Sequence, residues 1–275
     1  MIEEFTEKNL ALALDENKGL SDRNRNLIHR GLREVRFRPR RLQFPNDYSI
    51  GTLFLESMDG DPFRSMEAIG EIDIPNDSLL TLRLHGNQIE YMSPLASLRA
   101  WDLHKLEFHG RRFNDSHLHY IANLIGLNCL DLSYTGGDSA MDLSHIARLV
   151  NLEELDLTQC PVDEKELASI YSMVKMKRLS LFGAYRVRNL SFLRNMPDLE
   201  ALNLKYTEVS DTSLVYVRDK SQLRELNLGG TLVSDRGLYH LYGLSNLKRL
   251  VLRDTDVTSQ GEEILQGHLR HCSIV

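Results

Sequence analysis

The sequence predicts an α/β fold: a curved repeat solenoid, or horseshoe, with a concave parallel sheet and short helices on its convex side. Three observations predict it. Eight copies of one pattern open at Leu79, Leu103, Leu127, Leu152, Met176, Leu199, Leu223 and Leu247, at spacings of 24, 24, 25, 24, 23, 24 and 24 residues. Within each copy apolar residues alternate, as in Leu202/Leu204, Leu226/Leu228 and Leu250/Leu252, the period of a strand with one buried face. After each alternation comes a helix-opening signal, such as Val209-Ser210-Asp211 before Leu214 and Val217.

Taken in chain order, residues 1–31 read as a polar helical segment with Leu10, Leu12, Leu14, Leu20, Leu27 and Ile28 on its apolar side. Residues 32–78 hold the short alternating pairs Val35/Phe37, Leu42/Phe44, Leu53/Leu55 and Ile72/Ile74, broken by Pro39, Pro45, Pro62 and Pro75. They read as a β-rich flank outside the regular period, covering the open edge of the sheet. Residues 79–275 form the repeats and their C-terminal cap, with Leu265, Leu269 and the strand-like Cys272-Ser273-Ile274-Val275 closing the stack and burying Ile274. Those last four residues also fit the outline of a lipidation box, but valine is an unusual final residue there and the closing-strand reading needs no modification.

The frame is L-x-x-L-x-L-x-x-T-x-V, with Asn87 and Cys160 in the threonine place of two copies. A small polar side chain there can bond the backbone as the chain turns out of the strand. Ser, Asn and Asp then offer N-caps, and the acid that follows suits the positive end of a helix, as in Phe113-Asn114-Asp115 and Val162-Asp163-Glu164. One copy cannot bury its leucines alone; stacked neighbours can, at about 1.5–3 kcal/mol per aliphatic side chain. Two copies depart from the frame. The copy at Met176 carries Ala184 and Arg186 for threonine and valine, and the copy at Leu127 runs through Thr135-Gly136-Gly137 into an irregular stretch before Leu143. A distorted turn is expected in both.

This frame is that of a leucine-rich repeat protein. The copies resemble bacterial ribonuclease-inhibitor-like leucine-rich repeat proteins, whose units run T-x-V-[ST]-D-x-G-L; Val233-Ser234-Asp235-Arg236-Gly237-Leu238 matches most fully. The stretch Arg41 to Leu53 resembles a flank that precedes such repeats. The resemblance implies protein binding or scaffolding and carries no catalytic residues.

Composition narrows the classes. The chain has 275 residues, is 42% apolar and 26% charged, and carries a net charge of −6, which fits a soluble globular protein rather than a disordered, collagen-like or dedicated nucleic-acid-binding one. Cys129, Cys160 and Cys272 make an odd, scattered set, so reduced thiols and a cytoplasmic location are expected. The acidic start, Met1 to Glu7, has no apolar run after it, and no stretch approaches the ~18 apolar residues of a spanning helix; no membrane role is expected.

Candidate sites follow from the strand columns. Positions between and after the leucines face the concave side, where Glu107, Asp131 and Asp156 stand at equivalent places and Tyr134, Phe182, Tyr185 and Tyr206 lie in neighbouring columns, with Glu154 nearby. Aromatics beside carboxylates suit a protein partner. Like charges side by side are mildly destabilising, so the acid stack points to binding. His85 and His109 also align between copies, but lack third and fourth ligands, so no metal is assigned. Eight arginines between Arg23 and Arg41 read as a solvated basic face. Phosphate loops, nucleophile elbows and zinc-ligand motifs are missing; no cofactor and no enzyme activity are expected. The reading is therefore a non-enzymatic module binding a protein of unknown identity through its concave face. The alternative is the recognition subunit of a ubiquitin-ligase-type complex or effector, which needs an adaptor-docking module that residues 1–31 do not display.

Overall fold

A computed structural model describes residues 40–57, 64–75, 78–85, 92–109, 115–137 and 140–275. The segment 1–31, the pair Val35/Phe37 and all but Arg40 and Arg41 of the basic run lie outside these residues.

The strands are β1 (Arg40–Gln43), β2 (Thr52–Ser57), β3 (Arg64–Glu67), β4 (Glu71–Ile74), β5 (Ser78–His85), β6 (Lys105–His109), β7 (Cys129–Asp131), β8 (Glu154–Asp156), β9 (Arg178–Ser180), β10 (Ala201–Asn203), β11 (Glu225–Asn227), β12 (Arg249–Val251) and β13 (Ser273–Ile274). Strands β5 to β13 stack in sequence order and pair in parallel, the topology of a solenoid; β2 and β3 extend the same 11-stranded sheet antiparallel beyond β5, and β1 pairs with β4 in a small separate sheet.

The repeat frame explains the core. Leu202, Leu226 and Leu250 are in register across β10, β11 and β12, and they and Leu204, Leu228 and Leu252 are all buried. The ladder runs one residue past each three-residue strand, since the amide of Leu204 donates to the Asn227 carbonyl at 2.9 Å and that of Leu228 to Val251 at 2.9 Å. The first copy departs from the frame: Leu80, Leu82 and Leu84 are buried while Leu79 is half-buried. There β5 is eight residues long and pairs with β2 along its length, so strict alternation replaces the inward turn.

Threonine does what the frame predicts. Thr207, Thr231 and Thr255 donate their hydroxyls to the carbonyls of Leu204, Leu228 and Leu252 at 2.7, 2.6 and 2.6 Å. At Ala184 the backbone bond alone closes the turn, 3.0 Å to Leu181, and the buried Val187 packs where the valine of the frame would. In the copy at Leu127, Gly136 sits at φ +90 beside Pro161, and Met141 fills the core position.

The convex side is mostly 3-10 turns, for example Asp115–Ile121, Ser191–Asn195 and Asp211–Tyr216, where short helices are expected from the sequence. A 3-10 turn rises about 2.0 Å per residue against 1.5 Å for an α-helix, so it covers a given length with fewer residues. Among the described residues the α-helices are the four-residue α1 (Glu164–Leu167), capped by Asp163, and the ten-residue α2 (Ser259–His268), capped by Thr258. The acid after each N-cap does more than complement a dipole. Asp211 accepts from the amide and hydroxyl of Ser234 in the next repeat, both at 2.7 Å, and Asp235 does the same to Thr258 at 2.8 and 2.7 Å. A Cβ on Gly237 would lie 2.5 Å from Asp211 Oδ1, and one on Gly261 would lie 2.0 Å from Asp235 Oδ1. The S-D-x-G pattern is thus a latch between neighbouring repeats.

At the C-terminal end β13 pairs with β12, over the buried Leu265, Leu269 and Cys272. Ile274 is half-buried rather than buried, since it sits on the outermost strand. At the other end Arg40 and Asp102 form a buried ion pair at 3.6 Å, and Arg41 pairs with Asp73 and Glu71 at 2.7 and 3.3 Å. These two members of the basic run are engaged within the fold.

Candidate functional site: the concave trough

Parallel register turns repeat positions into columns. One runs Arg83, Glu107, Asp131, Asp156, Ser180, Asn203, Asn227, Val251, each paired with the next. The column two residues earlier runs Lys105, Cys129, Glu154, Arg178, Ala201, Glu225, Arg249. All of these but Arg83 and Glu107 line a trough of about 460 Å³ that extends from β6 to β12.

Three expected acids share a column but not a role. Glu107 is 6% exposed and lies between Arg83 Nε at 2.6 Å and Lys105 Nζ at 2.7 Å. Burial works to raise its carboxyl, but the hydrogen bonds from Lys105 and Arg83 outweigh that and hold it below the usual range. It is a paired core carboxylate and not part of an exposed acidic strip. Asp131 and Asp156 are half-buried and in no ion pair among the described residues. Each accepts from a backbone amide two residues on, Ser133 and Thr158, both at 2.8 Å through Oδ1. Asn203 and Asn227 make the same bond to Lys205 and Gly229 at 3.2 and 3.0 Å. Stacking Asp and Asn here therefore has a structural cause, since the turn after the strand needs an acceptor. The stack alone is no argument for binding.

The aromatics divide. Phe182 and Tyr206 meet edge to face with centroids 5.6 Å apart, and Lys205 Nζ stands 4.7 Å from the Tyr206 ring and 6.0 Å from that of Phe182. Tyr134 lies in the same column as Tyr206, three strands away, and is 58% exposed. Tyr185 is exposed at the turn, with the Arg186 guanidinium 5.5 Å from its ring. The structure brings Phe182, Lys205 and Tyr206 together and leaves Tyr134 and Tyr185 apart from them.

The backbone at this column is unusual. Tyr134, Gln159, Gly183, Tyr206, Gly230 and Asp254 all take positive φ, between 58 and 70, because the amide must turn to reach the next strand: Tyr134 N to Thr158 O at 2.7 Å, Tyr206 N to Gly229 O at 2.9 Å. Glycine adopts this conformation freely and a bulky residue does so at a cost. The Tyr206 ring covers Gly230, where a Cβ would come within 2.3 Å of Cδ1. Glycines at 183 and 230 are the sequence signal for this column; it goes unread where tyrosine stands in the same place.

Elsewhere the chemistry is quiet. Burial pushes the Cys129 and Cys160 thiols up to about 11, far from a thiolate nucleophile. His85 and His109 are paired in register, and no group of three or more metal-ligating side chains occurs among the described residues. No helix among them is long and apolar enough to cross a membrane.

No protein-family profile matches the chain, and no curated protein does. Among solved structures, an internalin (InlF) from Listeria monocytogenes is similar with a TM-score of 0.54 and 20% identity, over 70% of this chain and 59% of its own. The fold is a leucine-rich repeat solenoid. Internalin C2 of the same organism is similar at 0.51 and 21% identity, over 71% of this chain and 79% of its own. The leucine-rich repeat ectodomain of the Arabidopsis receptor kinase HAESA, solved in complex with an N-terminally extended IDA peptide hormone ligand, is similar at 0.53 and 19% identity, over 71% of this chain and 32% of its own. This solenoid thus spans about three fifths of the length of InlF and a third of the HAESA ectodomain. The likeness is one of fold, carried by the stacked strands.

Proposed function

We propose that this solenoid is a non-enzymatic protein-binding module whose partner docks on the concave trough, with Phe182, Tyr206 and Tyr134 as apolar anchors and Asp131 and Asp156 as charged contacts. One observation carries the reading. Tyr134 and Tyr206 are 58% and 45% exposed and sit at positive φ, where glycine or asparagine would be cheaper. An exposed ring kept in a costly conformation points to a role outside stability, most directly at Tyr134, since the Tyr206 ring also covers Gly230 and meets Phe182; tyrosine is a frequent interface anchor. Glu107 is set aside, being buried and paired. Tyr185 belongs to the rim. The HAESA ectodomain is described in complex with a peptide hormone; a peptide or protein segment is the corresponding ligand class here. Three unpaired cysteines support a cytoplasmic setting, where thiols stay reduced.

The test is paired affinity capture from the native host, quantified by mass spectrometry, with wild type and the variant Tyr134→Gly/Tyr206→Gly/Asp131→Asn/Asp156→Asn. Glycine suits the backbone at the tyrosine positions, and asparagine keeps the acceptor that Asn203 and Asn227 supply elsewhere. Proteins held by wild type and lost by the folded variant support the reading. Identical sets from both move the site off the trough.

A further inference from the structure

Building on the trough as the docking surface, we infer that the segment it takes is extended and charge-polarised: a basic block at one end, an apolar residue in the middle, an acidic block at the other.

The trough is not electrostatically uniform. At β7 and β8, Asp131 and Asp156 each commit Oδ1 to a backbone amide, while Oδ2 accepts no hydrogen bond among the described residues. The other acids nearby are already matched: Glu154 pairs with Arg178, and Glu107 with Arg83 and Lys105. From β10 to β12 the balance turns positive, three cations standing against the one lining carboxylate there, Glu225, which is exposed and in register with Arg249. Lys205 rests against aromatic rings rather than a carboxylate. Arg249, in the trough lining, and Arg253, at the rim position equivalent to Lys205, are exposed and in no ion pair among the described residues. Between the two ends lies the Phe182–Tyr206 pair.

Neighbouring strands stand about 4.8 Å apart, so the four steps from β8 to β12 span roughly 19 Å, about six residues of extended chain. A uniformly basic segment would satisfy Asp131 and Asp156 but set its other end against Arg249 and Arg253. A uniformly acidic one would fail at the opposite end. Like charges brought together in an interface are disfavoured strongly enough to select partners. A mixed segment satisfies both ends and leaves its central apolar side chain against the aromatic pair.

Three acetylated and amidated peptides, each with a fluorophore, test this by anisotropy: Lys-Lys-Gly-Phe-Gly-Glu-Glu, Lys-Lys-Gly-Phe-Gly-Lys-Lys and Glu-Glu-Gly-Phe-Gly-Glu-Glu. The polarised peptide should bind at least about tenfold more tightly than either other, equivalent to about 1.4 kcal/mol, and should weaken as salt rises. Asp131→Asn/Asp156→Asn should shift preference toward the acidic peptide, and Arg249→Glu/Arg253→Glu toward the basic one. Equal binding of polarised and basic peptides, no binding by any of the three, or variants that fail to shift preference would overturn the inference. Concentration-dependent self-association abolished by Arg249→Glu/Arg253→Glu would also overturn it, by assigning the trough to a second copy. Tyr206→Gly separates the two levels. If it weakens every peptide while the charge variants change nothing, the polarity fails and the trough stands; if binding ignores Tyr206, the trough itself fails.

Discussion

Lys220→Met should make the protein more stable. Lys220 occupies a column whose other members are Leu124, Leu149, Met173, Met196 and Leu244, all buried, and it is itself only 5% exposed. Its ammonium donates to the Leu193 carbonyl and meets no carboxylate within ion-pair distance among the described residues. A buried cation with one hydrogen bond costs several kcal/mol. The cost has a ceiling: releasing the proton at pH 7 from an ordinary value of 10.5 costs about 5 kcal/mol at ~1.36 kcal/mol per unit. Methionine matches the stem, and the Leu193 carbonyl is not orphaned, because it already accepts from the Met196 amide at 3.0 Å. The expected gain is about 1–3 kcal/mol, read as a higher urea midpoint at unchanged m-value, or roughly 2–4 °C in Tm per kcal/mol. Burial holds the Lys220 amine below its ordinary value, opposed only in part by Asp219. Between its folded value and 10.5 the unfolded chain therefore holds more protons than the native one, and wild-type stability rises with pH in that window. The advantage of the variant should be largest at neutral pH and shrink as pH approaches 10.5. A variant no more stable than wild type, or a gap indifferent to pH, would refute the argument.

Three further outcomes are expected. Leu226→Ala should cost about 2–5 kcal/mol in chemical denaturation, as for other buried leucines, and a change within error would remove Leu226 from the core. Gly237→Ala should destabilise by about 1–3 kcal/mol through its clash with Asp211, and should cost less in an Asp211→Ala background; additive effects in the double-mutant cycle would dissolve the latch between repeats. Tyr134→Gly should stabilise the fold by about 1 kcal/mol, from relief of the left-handed backbone and read as a higher denaturation midpoint, while weakening the binding of any partner that the trough takes; a loss of stability would show that the ring supports the fold.

What was legible in the sequence is what repeats. Leucines at fixed intervals fix the buried columns, and because the strands pair in sequence order, equal repeat positions become spatial neighbours; the Glu107–Asp131–Asp156 register follows from counting alone. What failed to show depends on contacts between columns. Glu107 stands at a nominally exposed position, and its burial follows from Arg83 and Lys105 on either side, the former with its guanidinium 4.7 Å from the Phe54 ring of the N-terminal cap. The convex segments are mostly 3-10 turns where the capping signals and apolar spacing alone predict short helices. The latch role of Asp211 and Asp235 was hidden because an acid in the first turn already has a sufficient local explanation.

That last ambiguity bears on how a binding surface is recognised in a repeat protein. Every column is repeated for structural reasons, so repetition of a polar residue is weak evidence of function: Asp131 and Asp156 perform the same backbone bond that Asn203 and Asn227 perform without charge. Function is better sought where a position departs from what its column requires. At positive φ the column holds Gly183 and Gly230 together with Gln159 and Asp254, and Tyr134 and Tyr206 are its bulky aromatic members. Within the bonding column the departure is charge, since asparagine would meet the structural need. The acids line the trough at β7 and β8, and the aromatics follow a few residues on, in the columns just past the strands. Their coincidence, rather than either alone, makes the concave face the place to look for the partner.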